Sequence, residues 1–190
     1  MVNEGVPDRR KGLVIGIVGG LVGAYAMRRY VRDLLPNWFP DASDPAQITD
    51  QPDPLERRAP FGQLYIPGEN TYQAIGRVTY ELTAHHPPPT LAQRQQLGDW
   101  AQWGMGLFAG IAYGATRTST LPRDIAGGFF YGIRLWLGDE ILLPLLGLRA
   151  GPTRFTKRQH FALLTSYWVY SFVTANLTRV LYRLFSPEDW

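Results

Sequence analysis

The 190 residues include no cysteine, which excludes a disulfide framework, a thiolate nucleophile and any cysteine-held zinc or iron–sulfur centre. Histidine is nearly missing too, at 3 residues. None lies centrally in an apolar run, where pigment ligation would want one. Charge is scarce: Asp, Glu, Lys and Arg make up 18% of the chain, against roughly a quarter in ordinary soluble domains. The net charge of +3 is small and dispersed, so no nucleic-acid-binding stripe forms. The glycine-rich start follows no strand pattern and leads to no Gly-Lys-Ser/Thr triplet, which excludes a phosphate-cradling loop.

Apolar and special residues are plentiful. Hydrophobic residues make up 45%, aromatics 13% with 6 Trp, and there are 20 Gly and 15 Pro. The length fits one domain rather than two. A mean hydropathy of -0.15 reads as soluble, but it averages two materials: apolar ends and a polar block at 33–99. The first apolar run, 12–27, is led by Arg9-Arg10-Lys11 and closed by Arg28-Arg29. It is short for a membrane crossing, which needs about 20 residues, but snorkelling arginines and flanking tyrosines extend it. A secretory signal with Ala24-Tyr25-Ala26 as its cleavage triplet is the competing reading, outweighed by the apolar runs that follow. Those runs are 100–116, 125–148 and 161–185. The expected fold is an all-α membrane protein, a four-transmembrane-helix bundle with a Pro-rich extramembrane segment. Its parts are a first span within 1–32, the segment 33–99, a three-helix antiparallel unit at 100–185 joined by short connections, and a tail at 186–190. The weakly apolar second span, carrying Gln102, is expected inside the bundle. Lys and Arg flank the spans almost equally on both sides, so charge bias sets no orientation.

Between 36 and 89 prolines recur at 36, 40, 45, 52, 54, 60, 67 and 87–89, excluding a long helix or a central strand. The stretch 70–85 differs. Tyr72, Ile75, Val78 and Leu82 fall at helical spacing there, with Gln73, Arg77 and Glu81 opposite, which predicts a short amphipathic helix lying on the bilayer or docked on the bundle.

Gly12, Gly16, Gly19 and Gly23 step by four, three and four along the first span. Gly106, Gly110 and Gly114 do so on the second, and Gly128 and Gly132 on the third. Such stripes let helix backbones approach closely in lipid. The chemically loaded element is Arg134 with Asp139 and Glu140, near the middle of the third span. Charges at that depth must be paired, protonated or in contact with water. Adjacent carboxyls on an α-helix point about 100° apart and are not expected to share one partner. Arg134 and Asp139 do not share a face. Tyr167 and Tyr170 on the antiparallel fourth span are therefore the expected donors, and Arg134, Asp139, Glu140, Tyr167 and Tyr170 form the expected polar cluster. It serves either as a structural knot or as a proton or cation site. His160, at the boundary, is expected to bond loop carbonyls rather than titrate. His85-His86 lack suitably spaced acids for a metal, and no catalytic triad or carboxylate pair can be argued. Interfacial belts account for most of the tryptophans.

The run Leu135-Trp136-Leu-Gly-Asp139-Glu140-x3-Pro144-x2-Gly147-Leu148, followed by Pro152, His160, Ser166 and Tyr170, resembles the second half of the YagU-like bacterial inner-membrane proteins. The glycine seam ending in Ala26-Met27 and the segment Gly106-x3-Gly110-x2-Tyr113-Gly114 are similar to that family's first two spans. The family pattern often has histidines where Gln102 and Tyr167 stand and a glycine where Ser171 stands. If those histidines did proton or metal chemistry, this chain lacks it. The resemblance implies a multi-pass protein of the bacterial inner membrane and names no reaction. The expected role is an accessory or structural subunit that contacts the lipid bilayer and other membrane subunits, with no cofactor, metal or nucleic acid and no enzymatic activity. The alternative is a small proton-coupled transporter or channel built on Asp139 and Glu140.

Overall fold

A computed structural model describes residues 9–40, 53–116 and 124–185. The tail at 186–190, part of the Pro-rich segment and the connection after residue 116 lie outside the described residues. Helix α1, Arg9–Arg29, continues through a π turn, Tyr30–Leu34, into the short α2, Leu35–Trp38. It therefore runs past the expected end near residue 32, because Pro36 sits in the first turn of α2, where its missing N–H costs nothing. Then come α3, Thr71–Ala84, and α4, Leu91–Thr116. Helix α5, Asp124–Leu137, passes through a second π turn, Gly138–Leu142, into α6, Leu143–Leu145, and α7, Lys157–Leu184, completes the set. Among the described residues the protein is all-α, with no strand. Among them one helix, Arg10–Trp38, is long and apolar enough to cross a membrane.

The amphipathic helix forms where the spacing places it. Asn70 caps α3 by accepting from Gln73 N–H, and the Gln73 side chain accepts from Asn70 N–H in return. At its other end His85 adopts a left-handed φ of 59° and its N–H reaches Glu81 O at 2.9 Å. His85 is thus a helix stop. Thr156 and Gln159 form the same kind of box at the start of α7.

Glycines decide the helix neighbours. A Cβ on Gly12 would meet Gly114, one on Gly16 would meet Gly110, and one on Gly20 would lie 2.6 Å from Gly106 O. Helices α1 and α4 are therefore antiparallel, backbone against backbone. The expected single row on α1 splits in two: a Cβ on Gly19 would lie 2.7 Å from Thr178 Oγ1, and Gly23 faces Thr174 and Tyr170 on α7. Gly20, absent from the expected row, completes the α4 seam. Gly128 and Gly132 lie against Phe172, Ser171 and Trp168, pairing α5 with α7. Tyr131 of α5 closes the bundle, its hydroxyl donating to Ala109 O of α4 at 2.5 Å. Helix α4 does not sit inside the bundle as expected. It buries its glycines and leaves Phe108 70% and Trp100 64% exposed.

Helix α4 also begins earlier than the expected 100, because its first turns are the platform for α3. Gly98 lies against Gln73, and Gly76 against Leu97. That contact is part of a cap over one end of the bundle. Arg77 of α3, 4% exposed, binds Glu69 through Nε at 2.9 Å, Glu81 at 3.1 Å and Leu64 O at 2.5 Å. Leu64 and Tyr65 N–H both donate to Gly147 O at 2.8 Å. The Pro-rich segment, where described, is thus docked on its own bundle.

Candidate functional site

Beneath the cap lies a buried charge network built on the second π turn. Asp139 and Glu140 are 6% and 4% exposed. The expectation that adjacent carboxyls cannot share a partner fails here. The π turn departs from α-helical phase, and Arg149 presents a fork rather than a point. Arg149 Nη1 lies 3.2 Å from Asp139 Oδ2 and donates to Asp139 O at 3.1 Å, while Nη2 donates to Glu140 Oε1 at 3.3 Å. The chain brings Arg149 back by a tight turn: Gly147 has a φ of +73°, and Leu148 N–H returns to Leu143 O at 2.9 Å. The Phe155 ring covers the guanidinium with its centroid 4.5 Å from Cζ.

His160 completes the network from α7. Its Nδ1 lies 3.0 Å from Glu140 Oε1, and its Nε2 3.0 Å from Pro152 O, the loop-carbonyl contact expected of it. Both neighbours are acceptors. A neutral imidazole serves one of them, an imidazolium both. The Tyr167 side chain interacts with Asp139 and that of Tyr72 on α3 with Tyr167, so the cap reaches the acids through Tyr167. Burial and the Asp139 carboxylate push the Tyr72 hydroxyl up to about 12.

The structure therefore joins Asp139, Glu140 and Tyr167 of the expected cluster and separates the other two. Tyr170 donates instead to Gly106 O on α4 at 2.6 Å. Arg134 is exposed and makes no ion pair or hydrogen bond among the described residues. Arg149, His160, Phe155 and Tyr72 were missed as members. Counting helix depth could not find Arg149, because it belongs to a connecting loop; a basic residue just beyond Pro144 and Gly147 was the available signal.

A second network pins the cap. Asp53 Oδ2 accepts from Thr153 N–H at 2.9 Å and Thr153 Oγ1 at 2.5 Å, and its Oδ1 accepts from Leu55 N–H at 2.7 Å. Glu56 accepts from Gly151 N–H at 2.6 Å and Arg154 Nη2 at 2.8 Å. Burial pushes the Asp53 carboxyl up, but the Thr153 and Leu55 hydrogen bonds and the Arg154 charge outweigh it, and the balance lies below the usual carboxylate range. A depressed value means that the docked cap binds the proton less readily than the released one. Asp53 therefore contributes its full stabilisation at neutral pH and loses it as pH falls below about 4. Hydrogen exchange across 53–69 is expected to accelerate in that acid range in the parent protein. In Asp53→Asn it should already be fast at pH 7. A flat pH response in the parent would show that Asp53 does not hold the cap.

No family model matches this chain, and no solved structure matches it. A curated protein that does match is the fluoride-specific ion channel FluC of Thiobacillus denitrificans (strain ATCC 25259 / T1), 34% identical over 68 residues. The match takes in 32% of this chain and 55% of that channel, so the chain spans about half the length of the curated relative it resembles.

Proposed function

We propose that the chain is a four-helix protein of the bacterial inner membrane that acts as a packing subunit beside another membrane protein. Its length of α1 and its outward apolar residues support the membrane placement: Val14 is 62% exposed, Phe130 61% and Leu142 55%. The resemblance to the YagU-like proteins, carried by Asp139-Glu140-x3-Pro144, fits the same placement. Arg134 is the observation that carries the subunit role. Gly127, Phe130, Arg134, Leu137 and Ile141 recur at three and four residues, and all are exposed on one face. An arginine midway along a membrane-crossing helix does not face lipid alone. A neighbouring helix with a carboxylate at matching depth would cover this stripe and answer the charge. The chain then needs no reaction of its own.

Removing one member of a desolvated charge pair costs about 2–5 kcal/mol. Arg134→Gln is therefore expected to lower recovery of a stoichiometric companion by at least about tenfold in mild-detergent purification read by mass spectrometry. Equal recovery with the variant, or a parent that purifies alone, would sink the subunit role.

A second reading, a small proton-coupled transporter or ion channel built on Asp139 and Glu140, is favoured by the similarity to FluC. It also draws on Glu140 Oε2, which is buried and has no hydrogen-bond partner among the described residues. Liposome flux in the parent, abolished by Glu140→Gln in a folded protein, would support it. Absence of flux in the parent rejects it.

A further inference from the structure

We propose that the groove between the C-terminal end of α1 and the N-terminal part of α4 binds the phosphodiester headgroup of an anionic phospholipid. The groove is about 490 Å³, and its lining includes Arg28, Arg29, Arg32, Asp99, Trp100 and Trp103. Three guanidiniums converge there on two carboxylates. Arg28 takes Asp99 at 2.8 Å. Arg29 and Arg32 share Asp33, each through Nε, at 3.0 and 2.8 Å. A guanidinium carries five N–H donors, so the terminal amino groups of Arg29 and Arg32 remain uncommitted among the described residues. Their side chains are 53% and 59% exposed. One positive charge is left over in a concave, solvent-reached site.

The first π turn, Tyr30–Leu34, shapes this end of α1: it buries Tyr30 and leaves Arg29 and Arg32 exposed. Along the same helix Val18, Leu21, Tyr25, Arg28 and Arg32 follow one another at three or four residues, forming a stripe that passes from aliphatic to aromatic to cationic. Val18 is 42% exposed, Leu21 37% and Tyr25 55%. Across the groove α4 contributes Trp100, 64% exposed, and Trp103. That is the order of a phospholipid from tail to phosphate, with aromatics at the headgroup level and cations beyond. An acidic peptide would answer the arginines but not the aliphatic track running from them along the helix.

The inference rests on α1 crossing a bilayer, and the experiment separates the two claims. The full chain is reconstituted into vesicles of phosphatidylcholine alone or with phosphatidylglycerol, floated, then released for native mass spectrometry. The parent is expected to retain phosphatidylglycerol over phosphatidylcholine. Arg29→Gln with Arg32→Gln, which leaves the Arg28–Asp99 pair in place, is expected to reduce that preference by roughly 25-fold, about fivefold per cation, with its melting temperature unchanged. No preference in the parent, or an undiminished one in the variant, overturns the lipid site while leaving the membrane placement standing. Displacement of the lipid by inorganic phosphate assigns the groove to the free ion and overturns the lipid. A parent that floats with neither vesicle overturns the membrane placement and the site together.

Discussion

Arg149→Met is expected to destabilise the folded protein by about 3–5 kcal/mol, because it strips two buried carboxylates of the cation they share. Asp139 and Glu140 have almost no water to fall back on, and Arg149, 9% exposed, meets both. Tyr167 also interacts with Asp139, but a neutral hydroxyl does not replace a charge. Glu140 retains His160, whose help depends on protonation. Thermal unfolding of the detergent-solubilised protein reads the loss. A triple variant, Asp139→Asn, Glu140→Leu and Arg149→Met, should recover most of it, since removing a whole buried ion set costs far less than orphaning one side. If the single variant melts with the parent, the acids are held by something other than Arg149.

The second large effect lies in the α1–α4 seam. Gly20→Ala places a Cβ 2.6 Å from Gly106 O and 2.7 Å from Gly110 Cα, both backbone atoms that no rotamer change can move. Overpacking of this kind costs typically about 1–3 kcal/mol, and a contact of backbone on backbone belongs at the upper end. Gly104→Ala on α4 is the matched control, because none of the described residues lies within 4 Å of its Cβ position. It is expected to be neutral or to gain up to about 1 kcal/mol from helix propensity. Equal melting shifts for the two would mean that the helices are not in backbone contact.

These two sites were unequally legible. The seam could be read because glycines at three- and four-residue steps report a helix face directly. What spacing did not report was which neighbour each glycine meets. Gly12 and Gly16 go to α4, Gly19 and Gly23 to α7, because α1 lies between two helices and each takes its own side. Tyr167 and Tyr170 illustrate the same limit. Both lie within a turn of the depth matched to Asp139, yet Tyr170 points to α4 and donates to Gly106 O. Depth along a helix is counted from the chain; rotation about its axis is set by packing.

The sequence by itself determined that the protein is helical, that apolar and glycine-bearing runs alternate with a Pro-rich segment, and that residues 70–85 fold as a capped amphipathic helix. These are local properties, written in spacing and in capping residues a few positions apart. Only the tertiary structure decided that the Pro-rich segment returns to its own bundle, through Asp53 and Glu56 on the loop near Gly151 to Arg154. It also decided that Arg149 rather than Arg134 answers the buried acids. Those contacts join residues roughly ten to one hundred positions apart. Their partners are chosen by desolvation: a carboxylate taken from water binds whichever cation the folded chain delivers, and sequence distance does not enter that choice.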